Sequence, residues 1–474
     1  MISASLHPEP VRAACERRSR WGFALTGRSI GLLIVGFFLL IPGFWDGRLS
    51  YSMLAWDALV LLAAWVDGVR LPHAAELTAG RVWTNAPALD SESEIEVTVE
   101  NNSRVILDCR LVDDLPPELT AKLGVHRVTV FPRVPASVRY RIEPQERGDA
   151  EAGWLYVRYR SPLGLAERWA KAPLTQTVRV YPALRTGEEQ QIFLARSRQI
   201  DLQLRLARQR GLGRDFESLR EYREGDDLRD ICWTATARRA SLITRQYQTE
   251  RSQPVWVVLD CGRLMRSRVA LAGKRSALPV AEPGVRIHSK LDYACTTAVS
   301  LAQLALYSGD RVGLLAYGQT VQQRVLPGRG SAHLRQLIES LSQVRAEGSE
   351  ADHLRATATL NRLQPRRALI LWITDLAETA MRPEVIDGAI QLLRRHVLLF
   401  VAMAQPEVNL IAEARPKNVE QMFRATAAQE MAGRRELLLA RLHEQGALTL
   451  DLNPELLTSS VLNQYLTVKE RAMV

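Results

Sequence analysis

The stretch Pro254-Val-Trp-Val-Val-Leu-Asp260-Cys-Gly-Arg-Leu264 settles how the second half of the chain folds. Val255 to Leu259 are apolar without a break, and Asp260 ends the run. A strand buried on both faces of a parallel sheet shows this continuity, whereas a half-exposed strand alternates. Strand and helix then alternate downstream. Strands are expected at Arg311–Tyr317, at Thr320–Leu326 on an edge, at Ala368–Ile373 ending in Thr374-Asp375, at Val397–Met403 and at Ala447–Asp451. Helices are expected at Ser289–Ser308, Ser331–Val344, Ala351–Leu363, Pro383–Arg395, Val419–Glu444 and Pro454–Arg471. Ser289 and Asp292 are placed as a capping pair on the first of these. The alternation implies a doubly wound, mainly parallel α/β domain over residues 254–474.

Carboxylates closing two strands in this order of elements resemble a von Willebrand factor A domain. That resemblance implies a divalent-cation site built as Asp-x-Ser-x-Ser, with a Thr and a second Asp from other loops. Hard cations take oxygen ligands, so the two hydroxyls matter. Here Gly262 and Leu264 stand at the serine positions. Asp375 is the remaining acid, and Ser349 or Thr374 can add one hydroxyl at best. Asp260 and Asp375 therefore read as the remnant of a cation site, in loop-capping or fold roles, and no metal or other cofactor is expected.

Upstream, residues 211–251 (GLGRDFESLREYREGDDLRDICWTATARRASLITRQYQTER) interleave acids and bases almost continuously. Gly225 supplies permissive backbone for a turn before Asp226-Asp227. Leu228, Ile231, Cys232 and Trp233 offer apolar surface, and Thr234–Ala240 reads as a helical turn or two. Tyr222, Gly225, Asp226, Asp227, Arg229, Ile231, Trp233, Ala237 and Arg238 fall in register on a pattern similar to that of domain-of-unknown-function family fifty-eight. The likeness continues through Gln145–Gly148, Ser161–Leu165, Val180–Pro182, Asp260–Met265, Ser308–Leu315 and Tyr465–Lys469. It implies a membrane-anchored bacterial protein found alongside MoxR-type AAA+ ATPases. The spacing supports an internal charged network of Asp226, Asp227, Arg229 and Arg238, with Trp233 as its apolar anchor against the strand at Val255. A solvated face and a docking surface are the other readings.

Nearer the start the texture differs. Residues 1–28 are polar and arginine-rich and read as a basic cytoplasmic N-terminus. Ile30–Ile41 is unbroken apolar sequence, Asp46-Gly47-Arg48 a polar turn, and Tyr51–Val69 a second apolar stretch. Together residues 29–70 are long enough for a two-helix transmembrane hairpin, with Trp21, Phe44, Trp45, Tyr51 and Trp65 near the ends as interface anchors. A cleaved signal peptide and a buried soluble hairpin are the alternatives. Asp57 sits inside the second span, where pairing with Arg48 would relieve its charge. Residues 74–185 carry short strands between Pro and Gly turns, at Glu94–Glu100, Val105–Val112, Val125–Phe131, Ser137–Ile142, Gly153–Arg160 and Gln176–Tyr181. This spacing suggests an antiparallel, immunoglobulin-like β-sandwich. Residues 186–253 then form a linker helix, Glu188–Arg210, and the signature segment.

A chain of 474 residues exceeds one ordinary core, and 47% hydrophobic with 24% charged residues suits folded domains. The net charge of +10 attracts anionic partners, yet bases and acids are mixed throughout, so no nucleic-acid role is expected. Five scattered cysteines, without a Cys-x-x-Cys pair, suit a reducing compartment. The eight histidines are dispersed singly and read as surface or helix residues. With no phosphate loop, Gly-x-Ser-x-Gly, His-Glu-x-x-His or dinucleotide fingerprint, an enzyme is not expected. The expected function is a multi-pass inner-membrane adaptor facing the cytoplasm, with the lipid bilayer and an AAA+ ATPase as partners. The alternative is a metal-assisted hydrolase using Asp260 and Asp375.

Overall fold

The computed structural model describes residues 8–17, 23–38, 50–119, 124–183, 192–199, 215–223, 228, 231–248, 253–270, 287–376 and 384–471. They fall into two compact units, residues 1–183 and 184–474.

The first unit is built from antiparallel strands. In chain order they are β1 (Val11–Ala14), β2 (Glu16–Arg17), β3 (Ala24–Leu25), β4 (Leu77–Trp83), β5 (Ser93–Asn101) and β6 (Leu107–Asp113). Then follow β7 (Val125–Val130), β8 (Ala136–Ile142), β9 (Gly148–Ala152), β10 (Leu155–Arg160), β11 (Ala166–Ala172) and β12 (Gln176–Val180). One sheet runs β1-β4-β5-β8, a second β2-β11-β10-β6-β7 with β3 beside β11, and β9 pairs with β12. The predicted alternation at 94–100 is real: Ile95, Val97 and Val99 are buried while Glu94, Glu96 and Glu100 lie outward. They join Leu77, Leu111, Leu155 and Val157 from the neighbouring strands in one core.

A buried ion pair crosses that core. Arg81 donates through Nε to Asp113 at 3.0 Å and through NH1 to the Leu174 carbonyl at 2.8 Å, and Tyr140 also donates to Asp113. The strand expected over 153–160 is β10, which starts at Leu155; β9 before it was not foreseen, and between them Gly153 donates its N–H to the Asp114 carbonyl at 2.8 Å. The N-terminus also differs from expectation. Residues 11–17 and 24–25 are not a separate basic tail: β1 pairs with β4, Val11 opposite Arg81, and β2 and β3 pair with β11.

Two helices interrupt these strands, α1 (Gly27–Phe38) and α2 (Ser50–Arg70). They pack together, with Trp56 Nε1 donating to the Leu32 carbonyl at 2.9 Å and Gly36 giving room for the Trp56 and Asp57 side chains. Their other faces leave Ile34, Val35, Phe37, Phe38, Leu54, Leu62 and Trp65 exposed. Among the described residues one helix, α2, is long and apolar enough to cross a membrane. The expected turn at 46–48, the end of the first span and the Asp57–Arg48 pair lie outside the described residues.

Asp67, 2% exposed, ties α2 to the strands. Its carboxylate accepts from Ser161 Oγ at 2.5 Å and from the Leu165 and Ala166 N–H groups at 3.0 Å each. The start of α1 holds the same turn, where Thr26 donates to the Gly164 carbonyl at 2.5 Å and Ser29 to that of Leu165.

The second unit opens with a hairpin of β13 (Asp215–Glu221) and β14 (Ile243–Gln248), whose connection contains α3 (Trp233–Arg239). Its main sheet contains β15 (Pro254–Asp260), and a small pair of β16 (Arg268–Ala270) and β17 (Ile287–Ser289) follows in the chain. The sheet is completed by β18 (Arg311–Tyr317), β19 (Val321–Gly328), β20 (Leu369–Thr374), β21 (Val397–Met403) and β22 (Leu448–Leu452), in the order β19-β18-β15-β20-β21-β22. All are parallel except β19, the antiparallel edge.

The helices are α4 (Lys290–Tyr307), α5 (Gly330–Gln343), α6 (His353–Leu363), α7 (Glu384–Leu393), α8 (Pro406–Glu413), α9 (Val419–Glu444) and α10 (Leu457–Glu470). Ser289 caps α4 with Asp292 as predicted from the sequence. Trp256, Val258, Trp372 and Phe400 pack under Leu360 of α6, Val385 and Ile386 of α7 and Leu442 of α9. The α8 helix was not foreseen, and of the linker helix expected at 188–210 only 192–199 are described, as helix.

Candidate functional site

Strand order reverses between β18 and β20 on either side of β15. In open α/β sheets, crevices that bind ligands form at such a reversal, beyond the carboxyl ends of the strands. Here it is a cavity of about 400 Å³ lined by Asp260, Gly262, Arg263, Glu350, His353 and Asp375, among others. The two acids singled out from sequence are thus brought together at the ends of β15 and β20.

Neither carboxylate is left bare. Asp260 accepts from the Gly262 N–H at 2.7 Å and from Thr374 Oγ1 at 2.6 Å. Burial pushes its pKa up, while His353 and these two hydrogen bonds pull it back. Gly262 is needed where it stands, since a Cβ there would meet the Ala351 nitrogen at 3.0 Å and Asp260 Oδ1 at 3.1 Å. The Ser349 hydroxyl is turned to Glu347 Oε2 at 3.4 Å, not to Asp260.

Asp375 has a partner that sequence reading missed. Lys290, 2% exposed, places Nζ 2.5 Å from Asp375 Oδ2, and Gln405 Nε2 donates to the same oxygen at 3.1 Å. Arg435 lies farther off, at 3.7 Å. Lysine at the first position of a helix opposes the helix dipole. That misfit with α4 was the one signal in the sequence, and the Asp375 carboxylate is its physical reason.

His353 begins helix α6, so of the surface or helix readings of the histidines it takes the second, and it is buried. It is 4% exposed, and its Nδ1 lies 2.9 Å from Tyr317 Oη. Trp372 Nε1 donates to that same hydroxyl at 2.7 Å, which ties the two rings to one tyrosine. Burial holds the pKa of His353 below the ordinary 6.5, against the pull of Asp260. His396 is also lowered, by burial and then by Arg395, and neither of its ring nitrogens has a hydrogen-bond partner. A base depressed in the folded state contributes stability that is whole above its unfolded pKa and lost as pH falls through the folded one. The melting temperature of the full chain is therefore expected to drop as pH falls from about 6.5. His396→Phe is expected to flatten that slope, and parallel slopes in the two proteins would count against this account.

Two other stretches flagged in the sequence meet in space. Asp310 accepts from Tyr465 Oη at 2.6 Å and from Lys469 Nζ at 3.3 Å, which pins α10 to the start of β18. Burial raises the Asp310 pKa above the ordinary 3.8, and Lys469 opposes the shift.

The signature segment is described in part. Gly225, Asp226, Asp227 and Arg229, and hence most of the expected charged network, lie outside the described residues. Tyr222 is half-buried, with its N–H on the Leu242 carbonyl at 2.8 Å, and Arg238 is exposed. Trp233 is not an anchor: it is 67% exposed. Ile231 bridges Thr244, and Cys232 donates its N–H to Ile243 at 2.8 Å. These two take the inward positions, and the helix starting at Trp233 leads away from them.

Sheet order and crevice define a three-layer α/β domain with its site at the strand reversal. The family model "Protein of unknown function DUF58" matches residues 218–411, which span the signature and most of this domain. Uncharacterised proteins of Mycobacterium bovis and Mycobacterium tuberculosis are 26% identical over 200 residues, 41% of this chain. The match spans 56% of the length of these curated relatives. Among solved structures, the conserved hypothetical protein BatB from Bacteroides thetaiotaomicron aligns with 13% identity and a TM-score of 0.27, over 46% of this chain and 100% of its own. An uncharacterised membrane spanning protein from Vibrio fischeri aligns with 12% identity and a TM-score of 0.17, over 45% and 96%.

Proposed function

We propose that this chain is a membrane-anchored interaction protein. In this reading a helix pair holds it in a bacterial inner membrane and the β-rich unit is an immunoglobulin-like sandwich. A von Willebrand factor A-like domain then docks a MoxR-type AAA+ ATPase. The observation that carries the reading is the outward Trp233, with Leu219, Leu228 and Leu242 also exposed on the same hairpin and its connection. Tryptophan is among the side chains most enriched at binding hot spots.

The topology of the first unit supports the anchor. Strands before α1 and after α2 share a sheet, so a chain entering the bilayer at α1 has to return through α2. The arginine-rich start then puts both ends of the helix pair in the cytoplasm. Metal-assisted hydrolysis is the second reading, favoured by the crevice that Asp260 and His353 line. Against it stands Lys290, which already neutralises Asp375.

The test is Trp233→Ala in the full chain, purified in detergent and titrated with a purified MoxR-type ATPase. Affinity is expected to fall at least about tenfold, with stability within about 0.5 kcal/mol of the parent. A variant that melts lower but binds unchanged would return Trp233 to a structural role. A parallel calorimetric titration with magnesium or manganese addresses the hydrolase, since stoichiometric binding lost in Asp260→Ala would revive it.

A further inference from the structure

We propose that the β10–β11 turn, Ser161-Pro162-Leu163-Gly164-Leu165, is a third membrane-contacting element, one that rests Leu163 in the lipid interface beside α1 and α2. This inference rests on the membrane-anchored reading and goes beyond it.

The turn is fastened to both helices at the same level. Asp67, one turn before the end of α2, takes hydrogen bonds from Ser161, Leu165 and Ala166. Thr26 and Ser29, at the start of α1, donate to the carbonyls of Gly164 and Leu165. Arg28 NH1 reaches the Leu163 carbonyl at 3.2 Å. Gly164 adopts φ +63°, a left-handed turn that glycine accepts without strain.

A twenty-residue helix such as Tyr51–Arg70 is about as long as the hydrocarbon core is thick. Its last turn, where Asp67 lies, then stands at the boundary between acyl chains and headgroups. Leu163 is at that boundary too, and it is 62% exposed, a large apolar side chain that the protein does not cover. Leu25, paired opposite Ala166 of β11, and Ile30 on the first turn of α1 are exposed as well. Arg28 and Arg70 sit on the same rim, where guanidinium groups meet lipid phosphates while neighbouring apolar side chains enter the acyl region. The surface fits a bilayer, because apolar tip and basic rim match the two layers of that boundary.

The experiment uses the full chain in vesicles of phosphatidylethanolamine and phosphatidylglycerol. Leu163→Cys, Leu62→Cys and Val125→Cys are each labelled with a nitroxide; all five native cysteines are buried. Each label is read by collision with oxygen, which partitions into lipid, and with a water-soluble nickel chelate. Position 62, on the outward face of α2, reports the anchor, and position 125, exposed on β7, reports water. At 163 the nickel-chelate effect is expected to be largely lost and the oxygen effect to exceed it, as at 62. A water-like label at 163 beside a lipid-like label at 62 overturns this inference and leaves the anchor standing. Water-like labels at both positions overturn both readings. Leu163→Cys is an exposed substitution, and melting scans of the labelled proteins confirm that the comparison is made on folded chains.

Discussion

Replacing Lys290 by methionine is expected to destabilise the full chain by about 3 kcal/mol. The ammonium is 2% exposed and Asp375 1%, so the substitution leaves a carboxylate in the core without its nearest counter-charge. Breaking a buried pair from one side costs about 3–5 kcal/mol in general. The lower figure applies here because Gln405 still donates to Asp375 and Arg435 is 3.7 Å away. Lys290→Met combined with Asp375→Leu should recover much of the loss, since a buried pair replaced by apolar groups is often neutral. Denaturant unfolding of the two variants measures both. A single variant as stable as the parent would mean that Asp375 has no need of the lysine, and the argument against a metal at this crevice would weaken.

Asp67→Ala should cost at least as much, about 3 kcal/mol or more, and its effect should be local to the helix pair. Three donors would lose their acceptor, and a buried donor left unsatisfied costs about 1–3 kcal/mol. Water reaching the opened site would reduce the loss, so the lower bound is the firmer figure. Asp67→Asn keeps one acceptor oxygen and should fall between alanine and the parent. Limited proteolysis with the chain in vesicles gives the readout: cleavage near residues 161–165 should rise in Asp67→Ala. An unchanged digestion pattern would mean that the β10–β11 turn is held by α1 alone.

Much of the second unit was legible because buried parallel strands write themselves as unbroken apolar runs. Val255–Leu259 and Val397–Met403 need no partner to be recognised. The acids closing β15 and β20 were visible for the same reason, each marking where an apolar run ends. Lys290 was not, because its meaning depends on Asp375, far away in the chain. His353 looked solitary since the rings beside it, Tyr317 and Trp372, come from two strands away from its own helix. Short strands failed in another way. β2 and β3 have two residues each, too few for any period to show, and β11 mixes charged and apolar residues without a clean alternation. Trp233 misled because a large indole in a charged segment suggests burial, while Ile231 and Cys232 already filled the inward positions.

The pairing of β1 with β4 has a consequence for how the chain is made. Val11 leaves the ribosome well before Arg81, and α1 and α2 lie between them. At roughly 5–20 residues per second the first strand waits on the order of ten seconds for its neighbour. In the membrane-anchored reading proposed above, both apolar helices emerge during that interval and are delivered to the bilayer while β1 is still an unpaired edge. On that reading closure of the sheet is timed by insertion: a defect in delivering the helices would leave an open β-edge, prone to pairing with another nascent copy. Aggregation of this protein when overproduced would then reflect the supply of insertion sites more than the stability of the finished fold.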